Sequence, residues 1–209
     1  MTLRIDLLRH GETTLGHTLR GSTDDDLTAL GWQQMQQAVQ ITGQDSTSQT
    51  SEKKPWDMVF SSSLKRCCTF AETISKQFSI PLDIDPQLQE MHFGDWEGVT
   101  IQQIYETNPE LLANFWQQPT QFTPPNAESM QKFSMRIQNA LHNIQQRMLQ
   151  QNAQRALVVT HGGVIKLLKC ISTQQPLDDI LKMSAELGQL NCFLLDHERM
   201  KLEWLGEKI

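Results

Sequence analysis

The sequence has no apolar stretch long enough to cross a bilayer, which would take about 20 consecutive residues. Of its 209 residues, 38% are hydrophobic, and these are dispersed. The first residues alternate Leu3, Ile5 and Leu7 with polar neighbours, a pattern typical of a strand and not of a signal peptide. We therefore expect a protein of the cytoplasm with no membrane partner.

Cysteine is scarce and forms no paired motif. The four cysteines are Cys67, Cys68, Cys170 and Cys192, and none belongs to the CxxC pairs that are typical of zinc sites and redox dithiols. Cys67 and Cys68 are adjacent, so on a helix their side chains point in different directions. We expect reduced thiols, no disulfide and no bound metal.

Positive charge is also in deficit. Eighteen lysines and arginines face 24 aspartates and glutamates, which gives a formal net charge of −6. Such a chain is not expected to bind nucleic acid or an anionic membrane. An anionic small molecule would need a local cationic pocket. The sequence shows no repeat, collagenous tract or heptad run, and it does not predict an oligomeric state.

Segments that resemble strands and helices alternate along the chain, which predicts an α/β fold with a mainly parallel sheet between two helical layers. We expect one domain over 1–209, with a small helical cap inserted at about 97–127 and an exposed polar loop over 43–55. Thr28 is expected to cap the first helix. The expected strands are Leu3–Leu8, Asp57–Phe60, Leu82–Ile84 and Ala156–Thr160, followed by a hairpin of Leu190–Leu195 and Lys201–Leu205. The expected helices are Ala29–Thr42, one through Cys67 and Phe78, Ile101–Gln117, Glu128–Gln150 and Gly163–Ser172.

Two predicted strands end in a histidine followed by glycine. Arg9-His10-Gly11 follows the first strand, and His161-Gly162-Gly163 follows the strand that ends at Thr160. Open α/β sheets bind ligands at these strand ends. A phosphate can approach a glycine turn closely, and an arginine can donate two hydrogen bonds to the phosphate oxygens. Taken alone, Arg9-His10-Gly11 is better explained as a loop histidine beside an exposed arginine, and the second triplet is equally compatible with a structural turn.

A third polar cluster, Ser61-Ser62-Ser63, lies between the second strand and a helix. A serine here can cap the helix and place Arg66 in or near its first turn. The helix dipole is positive at that end, so an arginine there favours anions. Taken alone, Arg66 is better explained as a surface arginine on a helix.

Carboxylates and apolar residues alternate between Leu88 and Gly98. A carboxylic acid among apolar neighbours tends to keep its proton and can serve as a general acid. Glu90, Asp95 and Glu97 are all candidates on this ground. His92 is expected to be solvated or to pack without a chemical role.

Taken together, these segments resemble the histidine phosphatase superfamily, also called phosphoglycerate mutase-like, over nearly the whole chain. The resemblance rests on four segments that occur in the family's order: Leu8–Thr13, Ser61–Thr69, Leu88–Gly98 and Thr160–Gly163. It implies that His10 accepts the phosphoryl group, Glu90 protonates the leaving oxygen, and Arg9, Arg66 and His161 bind phosphate. Gly162 would contribute at the helix start. No cofactor or metal is implied, because the arginines supply the positive charge.

The sequence departs from the family at Gly16, where many members carry an asparagine. Thr14, Arg20 or Thr23 could replace that phosphate donor. The short 97–128 region favours a small-molecule phosphatase over a phosphoglycerate mutase. A sugar-phosphate or broad-specificity phosphatase remains open, as does a non-catalytic phosphate-binding protein, although a binding protein has no need of a proton donor.

Overall fold

The computed structural model describes residues 2–44, 54–196 and 198–208. Most of the expected 43–55 loop therefore lies outside the described residues. Six strands form one sheet in the order β3-β2-β4-β1-β5-β6. They are β1 (Thr2–Arg9), β2 (Met58–Ser61), β3 (Leu82–Ile84), β4 (Arg155–Thr160), β5 (Leu190–Asp196) and β6 (Lys201–Lys208). The pairs among β3, β2, β4 and β1 are parallel, and β5 pairs antiparallel with β1 and β6. The expected mainly parallel sheet is confirmed.

Helices cover both faces of the sheet, which confirms the expected three-layer sandwich. They are α1 (Ala29–Gln44), α2 (Lys65–Phe78), α3 (Ile101–Thr107), α4 (Pro109–Gln117), α5 (Met130–Gln150) and α6 (Gly162–Ser172). On one face, Leu3, Ile5 and Leu7 of β1 pack in a core with α5 and α6. On the other face, Leu8 packs in a second core with α1 and α2. Because side chains alternate between the two faces of a strand, β1 contributes to a buried core on each side of the sheet.

Most element bounds agree with expectation to within a few residues, but the helix predicted over Ile101–Gln117 is wrong as one element. It breaks at Asn108, whose backbone (φ −151°, ψ 66°) is not helical. The next residue is Pro109, and a proline disfavours the α region for the residue before it. The Asn108 side chain then accepts the Leu111 amide and caps α4. Two short helices therefore occupy this segment.

Two further features concern helix starts and cysteines. Thr28 Oγ1 accepts the Gly31 amide at 3.0 Å, so the predicted N-cap of α1 is confirmed. The four cysteines are free thiols, of which Cys68 alone is not fully buried. Within the described ranges, no helix combines the length and apolarity that a membrane span requires.

Candidate active site

The structure brings the predicted clusters together at one edge of the sheet. Arg9 is in register with Thr160 across β1 and β4, and the His10 amide donates to the Thr160 carbonyl at 3.0 Å. Strand β2 lies on the other side of β4, and the Ser62 amide donates to the Val159 carbonyl at the strand end. Because parallel strands end at the same edge, residues far apart in sequence converge there.

His10 is held as a neutral imidazole with one nitrogen available. Its Nδ1 lies 2.8 Å from the Gly11 carbonyl oxygen, so Nδ1 carries the proton and Nε2 keeps its lone pair. Burial, followed by the positive charge of Arg66, lowers the pKa of His10 to about 3. The ring is therefore neutral at pH 7, with its Nε2 lone pair free, as a nucleophile must be.

A cavity of about 250 Å³ opens over this edge. One part of its wall is polar, and most of the rest is apolar and aromatic. The polar part includes Arg9, His10, Arg20, Glu90 and Lys166. The apolar part includes Leu19, Phe93, Phe115, Trp116, Phe133 and Ile180. The cavity thus combines a cationic end with a surface suited to an apolar group.

The guanidinium groups of Arg9 and Arg66 differ in their hydrogen bonds to backbone carbonyls. Arg9 Nη1 donates to the Ala185 carbonyl at 2.6 Å, and Arg66 donates to the carbonyls of Thr23 at 2.7 Å and Gly21 at 3.0 Å. In the described ranges, the buried Nε atoms of both arginines have no hydrogen-bond partner. A buried donor without an acceptor is costly, so both Nε atoms are suited to an anion. Arg9 lines the cavity, whereas Arg66 is completely buried behind it.

Asp25 connects Arg66 to a third arginine. Its Oδ1 accepts from Arg66 Nη1 at 3.3 Å and its Oδ2 from Arg20 Nη1 at 3.1 Å. The Asp25 side chain is almost fully buried, and that of Arg20 is 12% exposed. One carboxylate therefore fixes two cations, of which Arg20 faces the cavity.

Among the three candidates to replace the donor missing at Gly16, Arg20 lies in the cavity wall. Thr14 is exposed and is not brought to the cavity, although it was predicted to bind phosphate. The Thr23 hydroxyl donates to Glu97 at 2.6 Å and is therefore engaged elsewhere. The geometry favours Arg20 because its guanidinium is held in place and faces the ligand space.

Glu90 is fixed by the helix that follows β4. Its Oε2 accepts the Gly163 amide at 2.8 Å, and its Oε1 accepts the Met91 amide at 3.0 Å. A Cβ atom at Gly163 would overlap the Glu90 carboxylate, so this close approach requires glycine. Glu90 lines the same cavity as His10, although the two residues are far apart in sequence.

The other two candidate acids have structural contacts away from the cavity wall. Asp95 is exposed and accepts a hydrogen bond from Asn126 at 3.0 Å. Glu97 binds the loop over 21–23 through the amides of Gly21, Ser22 and Thr23. Burial alone would raise the pKa of Glu97, but hydrogen bonds from the Thr23 hydroxyl and from nearby amides outweigh it and lower that pKa.

His161 lies beside His10 but is completely buried, and it is not part of the cavity wall. The ring centroids are 5.3 Å apart in an edge-to-face arrangement. His161 Nε2 lies 2.8 Å from Ser62 Oγ. Burial, with Arg66 as the next cause, lowers the pKa of His161 well below its usual range, so this ring is neutral too.

The expectation that a serine caps the helix after β2 is wrong. Leu64 is the N-cap of α2 and makes no side-chain cap bond. Ser62 Oγ instead accepts the amide of Leu64 itself at 3.4 Å and lies 2.8 Å from His161 Nε2. Arg66 does lie in the first turn, as predicted.

Fold and site together define an α/β protein with a cavity that combines arginine side chains with a neutral histidine. Residues 5–208 match the family model of the histidine phosphatase superfamily, branch 1. The chain therefore belongs to the histidine phosphatase superfamily.

Several phosphatases resemble the chain over most of its length. It is 31% identical over 171 residues to the adenosylcobalamin/alpha-ribazole phosphatase of Escherichia coli K12, covering 79% of this chain and 77% of that protein. It is 32% identical over 174 residues to a metal-independent phosphoserine phosphatase of Arabidopsis thaliana, covering 81% and 68%. The crystal structure of the alpha-ribazole phosphatase from Shigella flexneri superposes with a TM-score of 0.79 at 25% identity, covering 98% and 95% of the two chains. These relatives support a phosphatase activity.

Proposed function

We propose that this protein is a phosphomonoesterase that works through a phosphohistidine at His10. The observation that carries the proposal is a neutral imidazole in the cavity wall whose Nδ1 is bound to the Gly11 carbonyl, with Glu90 in the same wall. A nucleophile and a proton donor in one cavity are what hydrolysis by a covalent route requires.

The reaction proceeds in two steps. His10 Nε2 attacks phosphorus in line, the phosphorus–ester oxygen bond breaks, and the leaving oxygen takes a proton from Glu90. A water molecule then gives a proton to the same Glu90 and attacks the phosphohistidine. The second step returns His10 as a neutral imidazole and releases inorganic phosphate.

The charge on the transferring phosphoryl oxygens is stabilised by fixed donors. We assign this role to Arg9 and Arg20 in the cavity wall, with Arg66 and His161 behind them and the Gly162 amide at the start of α6. The unpartnered Nε atoms of Arg9 and Arg66 support the assignment. Preorganised donors of this kind need no reorganisation during the reaction.

The leaving alcohol that the site suits best is α-ribazole, released from α-ribazole 5'-phosphate during cobalamin biosynthesis. The segment from Glu90 to Glu97 and the Trp116 region resemble those of the bacterial α-ribazole-5'-phosphate phosphatase. The aromatic part of the cavity wall supports a substrate with a flat apolar group. The relatives that act on this substrate by name support it too.

Phosphate release across a substrate panel tests the assignment. We expect α-ribazole 5'-phosphate to give a higher kcat/KM than phosphoserine, ribose 5-phosphate or 3-phosphoglycerate. Similar values for all substrates would favour a broad-specificity or sugar-phosphate phosphatase. Conversion of 3-phosphoglycerate to 2-phosphoglycerate with the bisphosphate present would favour a mutase. Phosphate binding without turnover would favour a binding protein.

We also predict that activity does not depend on a divalent metal ion. The arginines provide the positive charge that Mg²⁺ provides in other phosphoryl-transfer enzymes. After EDTA treatment and removal of the chelator, the rate should stay within about twofold of the untreated rate, since losing one essential electrostatic contact would cost about a hundredfold. Recovery only on addition of Mg²⁺, Mn²⁺ or Zn²⁺ would contradict the roles given to the arginines.

A further inference from the structure

Lys166 places an additional positive charge in the cavity wall. It lies on α6, three residues after Gly163, so the two residues share one face of the helix. Its side chain lines the same cavity as His10 and Glu90 and is only partly exposed. Within the ranges that the structure describes, Lys166 Nζ has no hydrogen bond or ion pair to the protein.

The charged groups near Lys166 in the described ranges act on its ammonium group without a direct hydrogen bond or ion pair to it. Burial and the charge of Arg9 lower the pKa of Lys166, while the carboxylates of Glu90 and Glu186 act in the opposite direction. A partly buried ammonium without a hydrogen-bond acceptor loses hydration without compensation. Its three donors are thus available to a group that enters the cavity.

We propose that Lys166 is a specificity-determining residue that binds an oxygen acceptor on the leaving alcohol, close to the ester oxygen. This inference rests on the proposed phosphatase function and narrows its substrate class. The substrate is then a phosphomonoester whose alcohol carries a hydroxyl or carboxylate oxygen near the ester, next to an apolar or aromatic body.

The position of Glu90 explains why the alcohol is the partner. Glu90 protonates the leaving oxygen, and the Gly163 amide fixes Glu90 at the start of α6. Lys166 lies one turn further along that helix and therefore reaches atoms on the alcohol side of the scissile bond. Trp116 and Phe115 of α4 supply the apolar wall of the same cavity. A ribose ring with vicinal hydroxyls and an attached aromatic base satisfies both requirements.

Two substrates that differ in the acceptor test the proposal. Ribose 5-phosphate carries hydroxyl acceptors on its alcohol, and phenyl phosphate carries none. We compare kcat/KM for both substrates in the wild type and in Lys166→Met, which keeps the length of the chain and removes the donors. The expected result is a fall of about tenfold in the ratio of ribose 5-phosphate to phenyl phosphate kcat/KM, as for loss of one charge-assisted hydrogen bond.

Control variants separate this effect from general damage. Lys76→Met removes an exposed charge on α2, and it should leave the ratio unchanged. Lys166→Gln keeps a donor without the charge and should give an intermediate ratio, and it replaces Lys166→Met if that variant does not fold. Thermal unfolding of each variant checks the fold.

The remaining outcomes would contradict either the role of Lys166 or the phosphatase function itself. An equal loss on both substrates would mean that Lys166 binds the phosphate, and an unchanged ratio would mean that it binds nothing; either result ends the proposal. If the wild type releases phosphate from neither substrate nor from α-ribazole 5'-phosphate, the phosphatase function itself fails.

Discussion

His10→Ala is expected to abolish turnover while the protein stays folded. The other polar groups of the described cavity wall are cations, the Glu90 carboxylate and the Thr18 hydroxyl. An alcohol is a weak nucleophile unless a base activates it, and the Thr18 hydroxyl donates to the Leu15 carbonyl. We expect kcat to fall by at least about a thousandfold, as when other covalent nucleophiles are removed. Rapid acid-free quenching of the wild type with labelled substrate should trap phosphate that is stable in base and labile in acid.

The fold should tolerate this change, because the His10 side chain is hydrogen-bonded to the carbonyl of its own neighbour, Gly11. His142→Ala is the matched control, since His142 is exposed on α5 and lies outside the cavity wall. It should keep full activity. Turnover by His10→Ala at more than a tenth of the wild-type rate, or an unlabelled wild-type protein, would exclude the covalent mechanism.

The part of the site that lies directly at strand ends could be predicted from the sequence. Arg9-His10 and His161 follow two neighbouring parallel strands, so the sheet alone brings them together. Glu90 could not be chosen over Asp95 and Glu97 from local sequence, because all three have apolar neighbours. The distinction comes from contacts distant in sequence: the Gly163 amide binds Glu90, and the 21–23 amides bind Glu97.

The roles of the arginines also depend on contacts that local patterns do not contain. Arg66 lies in the predicted helix turn, yet the fold of the loop around Gly21 directs its Nη atoms to carbonyls. The same loop brings Arg20 to the cavity through Asp25. Lys166 was missed altogether, although its spacing of three from Gly163 is a signal that could have identified it.

The helix break at Asn108 shows a conflict between two sequence signals. Apolar residues recur at helical spacing on both sides, which favours one helix over Ile101–Gln117. Pro109 disfavours helical geometry at the residue before it, and here this steric preference prevails over periodicity. The extent of the single domain and of the cap insertion over about 97–127 stays a prediction.

Glu90→Gln is expected to separate the two chemical steps according to the leaving group. Glutamine has nearly the size of glutamate and can donate a hydrogen bond, but it cannot transfer a proton. An alkoxide needs that proton in order to leave, whereas nitrophenolate is stable without it. With nitrophenyl phosphate we expect a rapid burst of about one nitrophenolate per active site, followed by turnover about a hundredfold or more below wild type. The slow phase reflects water that Glu90 no longer activates.

The burst also tests whether the substitution disturbs the site instead of the proton transfer. Glu90 accepts two amides, from Gly163 and Met91, and glutamine keeps one acceptor oxygen. If this loss displaced the substrate, the burst would disappear with nitrophenyl phosphate too. Ribose 5-phosphate should show no burst, and Asp95→Asn, in an exposed carboxylate outside the cavity wall, should behave as wild type with both substrates. Equal slowing of both substrates without a burst, while KM keeps its wild-type value and the substrate is therefore not displaced, would remove Glu90 from the role of general acid, because a missing proton donor must cost an alkoxide more than a nitrophenolate.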